Sequence, residues 1–328
     1  MGAASNQSNQ SRRAKVGEVY HLRVSITPRC NYRCFVCDHE GNPPTTGVLQ
    51  SASVGELVRL TELLVEELGA SRVKLTGGEP LCHPRVDAIV KGVKAIRGVT
   101  DLSLTTNGSR LLEWAPRLKA AGLDRLNVSL WSLNRETYRS VTGVDQLDRV
   151  LEGLELVRDL GFRQVKLNFT MLRHYNVAQF RDVLDFALDR GFVLQLIELH
   201  RVESVNSKLV HEREFYSARE MEATFAGEVE RTEYREDMQL RRVHHLRGGG
   251  VVEVVEVGPN ACAHCTKVRL THDGQIKPCL MRNESNVDLL GQLRAGVGDD
   301  ELHALVRSVL PRRKPFFTRE TKLGEESL

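Results

Sequence analysis

No run of about 18 apolar residues occurs anywhere in this 328-residue chain, so no transmembrane helix is expected. Neither sign of charge dominates. The 46 Lys and Arg against 43 Asp and Glu leave a formal net charge of +3, which calls for neither nucleic acid nor an anionic membrane as partner, and any anion site must be local. The opening Met1-Gly2-Ala3-Ala4-Ser5-Asn6 lacks the apolar core of a secretory signal, and Asn6 stands where a myristoylation pattern wants Ser or Thr. Cysteines are few, seven in all, and they cluster instead of falling at disulfide-scaffold spacings. That usage fits a reducing cytoplasm and metal ligation. What remains, 41% hydrophobic and 27% charged residues, describes a globular chain long enough for one large α/β domain or two ordinary ones.

Residues 1–17, rich in Ser, Asn, Gln and Arg, show no apolar periodicity and are expected to form a flexible leader. From Val19 onward short strand-like runs (22–26, 73–75, 102–105, 126–130, 165–170 and 193–199) alternate with segments of helical period (54–68, 86–96, 111–121, 147–160 and 177–190). This alternation argues for parallel β-α units, whose strands, buried on both faces, read as nearly continuous apolar runs. An open or closed α/β barrel and a doubly wound sheet both satisfy it. The polar residues favour a barrel: the runs end in patches such as Thr76-Gly77-Gly78-Glu79-Pro80, Thr105-Thr106-Asn107-Gly108 and Ser129 to Ser132, and barrel enzymes build their sites at strand C-terminal ends. The barrel is expected over 18–202.

After Val202 the rhythm breaks, and 203–310 reads as a C-terminal extension followed by a flexible tail, 311–328. The basic run Arg241-Arg242-Val243-His244-His245-Leu246-Arg247 suits a phosphate-binding patch, but a charge run is more often a solvated face. Residues 251–257 alternate valine and glutamate like a half-buried strand. Beyond them, Thr271-His272-Asp273-Gly274 between two apolar runs reads as a hairpin turn, which draws Cys279 towards Cys262 and Cys265.

Six of the seven cysteines thus fall into two triads, Cys30, Cys34 and Cys37, and Cys262, Cys265 and Cys279. Structural zinc and simple iron-sulfur clusters each want four protein ligands. A zinc site would need His39 to complete the first triad, and His264 or His272 to complete the second. On an iron-sulfur cluster, three thiolates leave one iron open. Cys82 has no partner at ligand spacing and is expected to be structural.

The first triad, followed by Gly77-Gly78-Glu79-Pro80, resembles the radical SAM enzymes. The resemblance implies a partial (β/α)6-type barrel, a [4Fe-4S] cluster on Cys30, Cys34 and Cys37, and S-adenosylmethionine chelated at the open iron. It implies further that Gly77, Gly78 and Glu79 line the methionine end of the cofactor, the carboxylate taking the ammonium, and that Thr105, Asn107 and Ser129 contact the cofactor from strand ends. Val36 departs from the aromatic residue often found before the third cysteine.

With its second triad, and with matches that include Asn127-Val128-Ser129-Leu130 and Val165-Lys166-Leu167-Asn168, the chain is similar to the MoaA family, the GTP 3′,8-cyclases of molybdenum cofactor biosynthesis. That similarity runs from about residue 22 to 310. It implies a second [4Fe-4S] cluster on Cys262, Cys265 and Cys279, a purine nucleotide as substrate, and basic residues that hold its phosphates. Arg23, Arg72, Lys166 and Arg269 suit that role. Lys74 and Lys267 stand where arginine is usual, and Gln195 where a further basic residue is usual; lysine offers a point charge in place of a planar fork. The family's chains end in Gly-Gly, whereas this one ends Gly324-Glu325-Glu326-Ser327-Leu328. Two enzymes fit: a divergent GTP 3′,8-cyclase, or a paralogue that keeps both clusters but acts on another nucleotide or small metabolite. A zinc-binding module is the non-enzymatic alternative. The implied partners are a reductant such as flavodoxin or ferredoxin and, because the family often forms dimers, a second copy of the chain.

Overall fold

Six parallel strands, each joined to the next through helix, form the frame of the computed structural model, which describes residues 19, 21–37, 51–200 and 205–317, the side chains of 205–207 excepted. The leader 1–17, His39 and the chain end from 318 onward lie outside the described residues. The barrel elements are β1 (His21–Ser25), α1 (Val54–Leu68), β2 (Arg72–Thr76), α2 (Val86–Ala95), β3 (Asp101–Thr106), α3 (Leu111–Ala120), β4 (Arg125–Ser129), α4 (Arg135–Thr142), α5 (Leu147–Asp159), β5 (Gln164–Thr170), α6 (Phe180–Asp189) and β6 (Val193–Ile197). The extension follows as α7 (Val205–Glu214), α8 (Ala218–Phe225), β7 (Val229–Arg235), β8 (Arg241–Leu246), β9 (Val251–Val255), α9 (Pro259–Ala263), β10 (Lys267–Leu270), β11 (Gln275–Lys277), β12 (Val287–Asp288), α10 (Leu289–Arg294) and α11 (Asp299–Arg307).

Local chemistry sets several of these boundaries. Helix α1 starts at a capping box in which Ser53 and Glu56 satisfy each other's backbone N–H groups, and it stops at Gly69 with φ 66°. Asn134 caps α4 through the backbone N–H of Thr137. Along the strands, residues such as Leu22, Val24, Val73, Leu75, Leu126 and Val128 are fully buried in the main apolar core. Their neighbours of opposite parity, Arg23, Lys74, Asn127 and Lys166, line an internal cavity. Both faces are therefore covered, as expected for a parallel sheet, but the inner face is polar instead of apolar.

Strands β1 to β6 lie side by side in chain order. No order reversal occurs among them, which excludes the doubly wound alternative. The extension completes this sheet at both edges: β9 pairs parallel to β6, and β10 pairs parallel to β1. The hairpin β7–β8 adds antiparallel beyond β9, while β11 and β12 add antiparallel beyond β10.

The two edges also meet. The β7–β8 connection reaches the first residues of the opposite strands, where Asp237 pairs with Arg72 and its carbonyl accepts from Thr266 Oγ1 at 2.7 Å. The sheet thereby curls around the cavity, its floor closed by a loop of the extension. Strand β8 is the solvated basic run of the sequence reading, and the structure corrects that reading. Arg241 is buried facing the cavity. Arg242 is paired with Glu222 and Glu256.

Candidate active site

At the C-terminal end of β1, the loop 27–37 carries the first triad and is fixed mainly by backbone atoms from neighbouring elements. The end of β2 holds one side: Gly78 N–H donates to the Thr27 carbonyl at 2.8 Å and Glu79 N–H to the Arg29 carbonyl at 2.7 Å. A Cβ on Gly77 would stand 2.5 Å from the Thr27 oxygen, and one on Gly78 would stand 2.4 Å from the Arg29 oxygen. Only glycine permits this approach. The end of α4 holds the other side, accepting from Arg33 N–H at Thr142 (3.0 Å) and from Phe35 N–H at Val141 (3.2 Å). Asn107 Nδ2 donates to Asn31 Oδ1 at 2.9 Å, which joins the loop to β3 as well.

Glu79 is buried, and its carboxylate accepts from Leu81 N–H, Thr106 Oγ1 and Asn107 N–H at 2.9, 2.7 and 2.6 Å. Burial raises its pKa to about 7 against the pull of those donors. The side chain expected to take an ammonium thus already splices β2 to β3, and Asn107 splices β3 to the cysteine loop. Cys30 and Cys37 are exposed and Cys34 is half-buried. Burial, with Cys37 and Cys30 nearby, pushes the Cys34 thiol up to about 12. Exposed thiols on a loop fixed from several sides fit a cluster ligand set better than core filling.

Below this loop the barrel encloses a cavity of about 470 Å³. All seven residues expected at the substrate, Arg23, Arg72, Lys74, Lys166, Gln195, Lys267 and Arg269, line it, as do Thr105 and Ser129. Gly77, Gly78, Glu79 and Asn107 instead surround the cysteine loop. Strand register explains the charge density. Arg269, Arg23 and Lys74 are register partners across β10, β1 and β2, and so are Lys267, His21 and Arg72. Partners on adjacent strands stand roughly 4.8 Å apart, and like charges there repel.

The repulsion is visible in the titration of these groups. Burial and then Arg23 drive the pKa of Lys74 well below its ordinary value, and burial and then Arg241 drive Lys267 to about 7. Burial brings Lys166 to about 8 even beside Glu253, and His21 falls to about 2. A chain of polar contacts crosses the floor: Lys74 Nζ to Asn127 Oδ1 at 3.0 Å, Asn127 Nδ2 to Asn168 Oδ1 at 3.2 Å, and Gln195 Nε2 to the same oxygen at 2.8 Å. Arg241 continues it, donating to Gln195 Oε1 and Glu253 Oε2 at 2.8 Å each, and Lys166 closes it on Glu253.

Cys262, Cys265 and Cys279 line the same cavity, half-buried. In each triad the Cys-X-X-Cys pair forms a turn, with Cys37 N–H donating to Cys34 O at 3.1 Å and Cys265 N–H to Cys262 O at 3.2 Å. His264 Nδ1 lies 2.9 Å from the Asn260 carbonyl and His272 Nδ1 lies 3.4 Å from Ser51 Oγ. Among the described residues no group of three or more His, Cys, Asp and Glu side chains could hold a metal ion as it stands, the two thiol triads included. The chain also continues past α11 over the second triad. Arg313 donates to the Cys265 carbonyl, and Arg313, Lys314, Phe316 and Phe317 line the cavity.

The residues that sequence reasoning missed are Arg125, Arg241, Arg313 and Lys314, with Asn127 and Asn168 on the floor. For Arg125 a signal existed, since it shares inward parity with Asn127 and Ser129. None existed for Arg313 and Lys314, whose place depends on the turn after α11. Glu198, just beyond β6, accepts from Ala218 N–H at 2.8 Å and Val257 N–H at 2.7 Å and is a structural tie.

A cysteine loop clamped to the C-terminal ends of parallel barrel strands, above a cavity lined by many charged and polar side chains, is the arrangement of a radical SAM enzyme. Residues 24–187 match the Radical SAM superfamily and residues 192–318 match Molybdenum Cofactor Synthesis C. The chain is 39% identical over 302 residues to the probable GTP 3′,8-cyclase of Methanothermobacter thermautotrophicus, covering 92% of this chain and 96% of that one. To the probable GTP 3′,8-cyclase of Thermococcus kodakarensis it is 40% identical over 306 residues, with 91% and 97% covered. The solved structure of Streptococcus suis SuiB bound to precursor peptide SuiA has a TM-score of 0.64 at 15% identity, covering 95% of this chain and 74% of that one, a likeness of fold alone. The chain belongs to the radical SAM superfamily and, within it, to the MoaA family. Membership implies S-adenosylmethionine and a [4Fe-4S] cluster. No helix among the described residues is long and apolar enough to cross a membrane.

Proposed function

We propose that this protein is a GTP 3′,8-cyclase of molybdenum cofactor biosynthesis, working in the cytoplasm with two [4Fe-4S] clusters. The observation that carries the reading is the joint lining of one cavity by the second cysteine triad and by two strand rows of basic residues, Arg269, Arg23 and Lys74 in one and Lys267 and Arg72 flanking a neutral His21 in the other. A triphosphate answers those cations, because it relieves their mutual repulsion and accepts the bidentate edges of the arginines. A base reaching from there towards Cys262, Cys265 and Cys279 meets a soft ligand set with an open position. The curated relatives, named probable GTP 3′,8-cyclases, support that choice of nucleotide.

Cys30, Cys34 and Cys37 would hold the first cluster, with Gly77 and Gly78 leaving room for backbone to approach the cofactor and Thr105 and Ser129 facing it from the cavity. S-adenosylmethionine held there, given one electron through the cluster from an external reductant, would supply the hydrogen-abstracting chemistry. The chain's own residues do the rest by placement. Arg23, Lys74, Lys166 and Arg269 neutralise phosphate oxygens, the second triad orients the base, and the curled sheet keeps water from the reacting carbon. Flavodoxin or ferredoxin is the proposed reductant, and a homodimer the proposed assembly.

One observation favours a second reading. Gln195 and the lysines at 74 and 267 alter the cation set around the substrate, which suits a paralogue acting on another nucleotide. Anaerobic protein with both clusters reconstituted, reduced and mixed with S-adenosylmethionine and GTP, decides between them. The cyclase reading requires 5′-deoxyadenosine together with the cyclised nucleotide. Deoxyadenosine with no GTP product assigns the chain to the paralogue.

A further inference from the structure

The β7–β8 connection carries features that the reading above does not use. Gln239 and Leu240, with φ of 63° and 54°, are the non-glycine residues at positive φ among those described. Residues with side chains rarely adopt this region, and they stay there only where the surroundings hold them. Here the holding groups belong to the opposite edge of the sheet. Asp237 pairs with Arg72, Gln239 accepts from Lys267, and Gln239 Nε2 donates to the Ala261 carbonyl at 3.4 Å.

The next residue, Arg241, enters the cavity at 7% exposure. One of its terminal nitrogens donates to both Gln195 Oε1 and Glu253 Oε2. Its Nε–H, a donor on the edge of the guanidinium that grips oxyanions bidentately, is buried with no partner among the described residues. Glu253 is also the partner of Lys166. Two buried cations therefore share one carboxylate, and a buried charge left uncompensated is costly. An anion in the cavity, which Arg241 lines, would balance the second cation.

We infer that Arg241 is a specificity-determining residue for the polyphosphate end of the substrate, standing beside the uncharged Gln195 and aimed by the left-handed turn at Gln239 and Leu240. This rests on the proposal that the cavity takes a nucleotide, but not on the base being guanine. Glu253 and Gln195 both hold the same terminal nitrogen of Arg241, which fixes the guanidinium in one orientation at the cavity wall. Such a group discriminates by the number of phosphates, since a nucleoside monophosphate reaches fewer of the cavity's cations than a triphosphate does.

Calorimetric titration of the reconstituted holoenzyme with inorganic tripolyphosphate, GTP, GDP and GMP tests this, with iron content and thermal midpoint measured alongside. Arg241→Gln should weaken tripolyphosphate and GTP by about ten- to hundredfold while changing GMP by less than about threefold. Arg241→Lys, which keeps the charge but not the fork, should fall between. Leu240→Gly, which frees the turn, should weaken GTP several-fold without lowering the midpoint. If Arg241→Gln lowers midpoint and iron content but leaves the preference for three phosphates over one unchanged, the residue is only a sheet contact and the inference fails. It fails also if tripolyphosphate does not bind the unaltered enzyme. Tripolyphosphate binding that depends on Arg241, with GTP held no better than other nucleoside triphosphates, would uphold this inference while removing the GTP reading.

Discussion

The two ends of the cavity are built by different means. At the first triad the loop is secured largely through main-chain atoms: Gly78 and Glu79 N–H on Thr27 and Arg29 carbonyls, and Arg33 and Phe35 N–H on the end of α4. At the floor the contacts are between side chains, a chain from Lys74 through Asn127, Asn168 and Gln195 to Arg241, Glu253 and Lys166. Main-chain contacts are indifferent to most side chains but intolerant of a misplaced Cβ. Side-chain contacts can be re-partnered one residue at a time. On the proposed function, radical generation falls to the end held by main chain and choice of substrate to the end that substitution can retune.

The sharpest way to break that comparison is a methyl group at the rigid end. In Gly78→Ala the new Cβ would meet the Arg29 and Pro28 carbonyl groups within 2.7 Å, and backbone cannot swing aside as a side chain can. Iron should fall from about eight to about four per monomer, and cleavage of S-adenosylmethionine should fall at least about a hundredfold. Gly55→Ala, on α1 with nothing within 4 Å of the added atom, should change neither. Normal iron in Gly78→Ala would show that the loop is not set by this contact.

The second test separates the triads by consequence. Cys30→Ala should abolish cleavage of S-adenosylmethionine. Cys279→Ala should leave some cleavage, uncoupled from nucleotide product, because Cys279 lines the cavity while the first loop is held elsewhere. Fully coupled turnover in Cys279→Ala, followed as deoxyadenosine against product, would remove the second triad from the substrate site.

Much of the rigid end was legible in the sequence, because local rules made it. Apolar runs at strand length, polar residues at their ends, the Ser53 and Glu56 capping box and the paired glycines at 77 and 78 each carry their meaning within a few residues. The floor was legible only in part. The resemblance pointed to Arg23, Lys74 and Lys166, whereas β8 has cations on both faces. Arg241 faces the cavity while Arg242 meets Glu222 and Glu256, and charge on both faces erases the alternation by which a strand is read. Arg72 meeting Asp237, 165 residues away, depends on the curl of the whole sheet. Glu79 shows the converse: its motif was legible, but not that Thr106, Asn107 and Leu81 already claim its carboxylate.

The smallest expected effect lies in pH, read as the binding of an anion by the lysines of the floor. Burial has lowered the pKa of Lys166 from 10.5 to about 8, with Arg241 and Arg125 opposing its charge and Glu253 favouring it, and Lys74 is lowered further beside Arg23. Between about pH 8 and 10.5 the unfolded chain binds more protons at Lys166 than the free folded protein does, so this lysine makes stability rise with pH across that window. A bound polyanion favours the charged lysine and raises its pKa. The sign for binding is therefore opposite: affinity for tripolyphosphate should fall as pH rises, through about 7 as Lys267 loses its proton and through about 8 as Lys166 does, by at most about tenfold per unit for each lysine that titrates. Lys166→Met should bind more weakly at pH 7 and lose part of that slope, whereas Gly55→Ala should keep it whole. An unchanged slope in Lys166→Met, measured by titration from pH 6.5 to 9.5, would mean that the proton is taken up elsewhere and that Lys166 serves Glu253 alone.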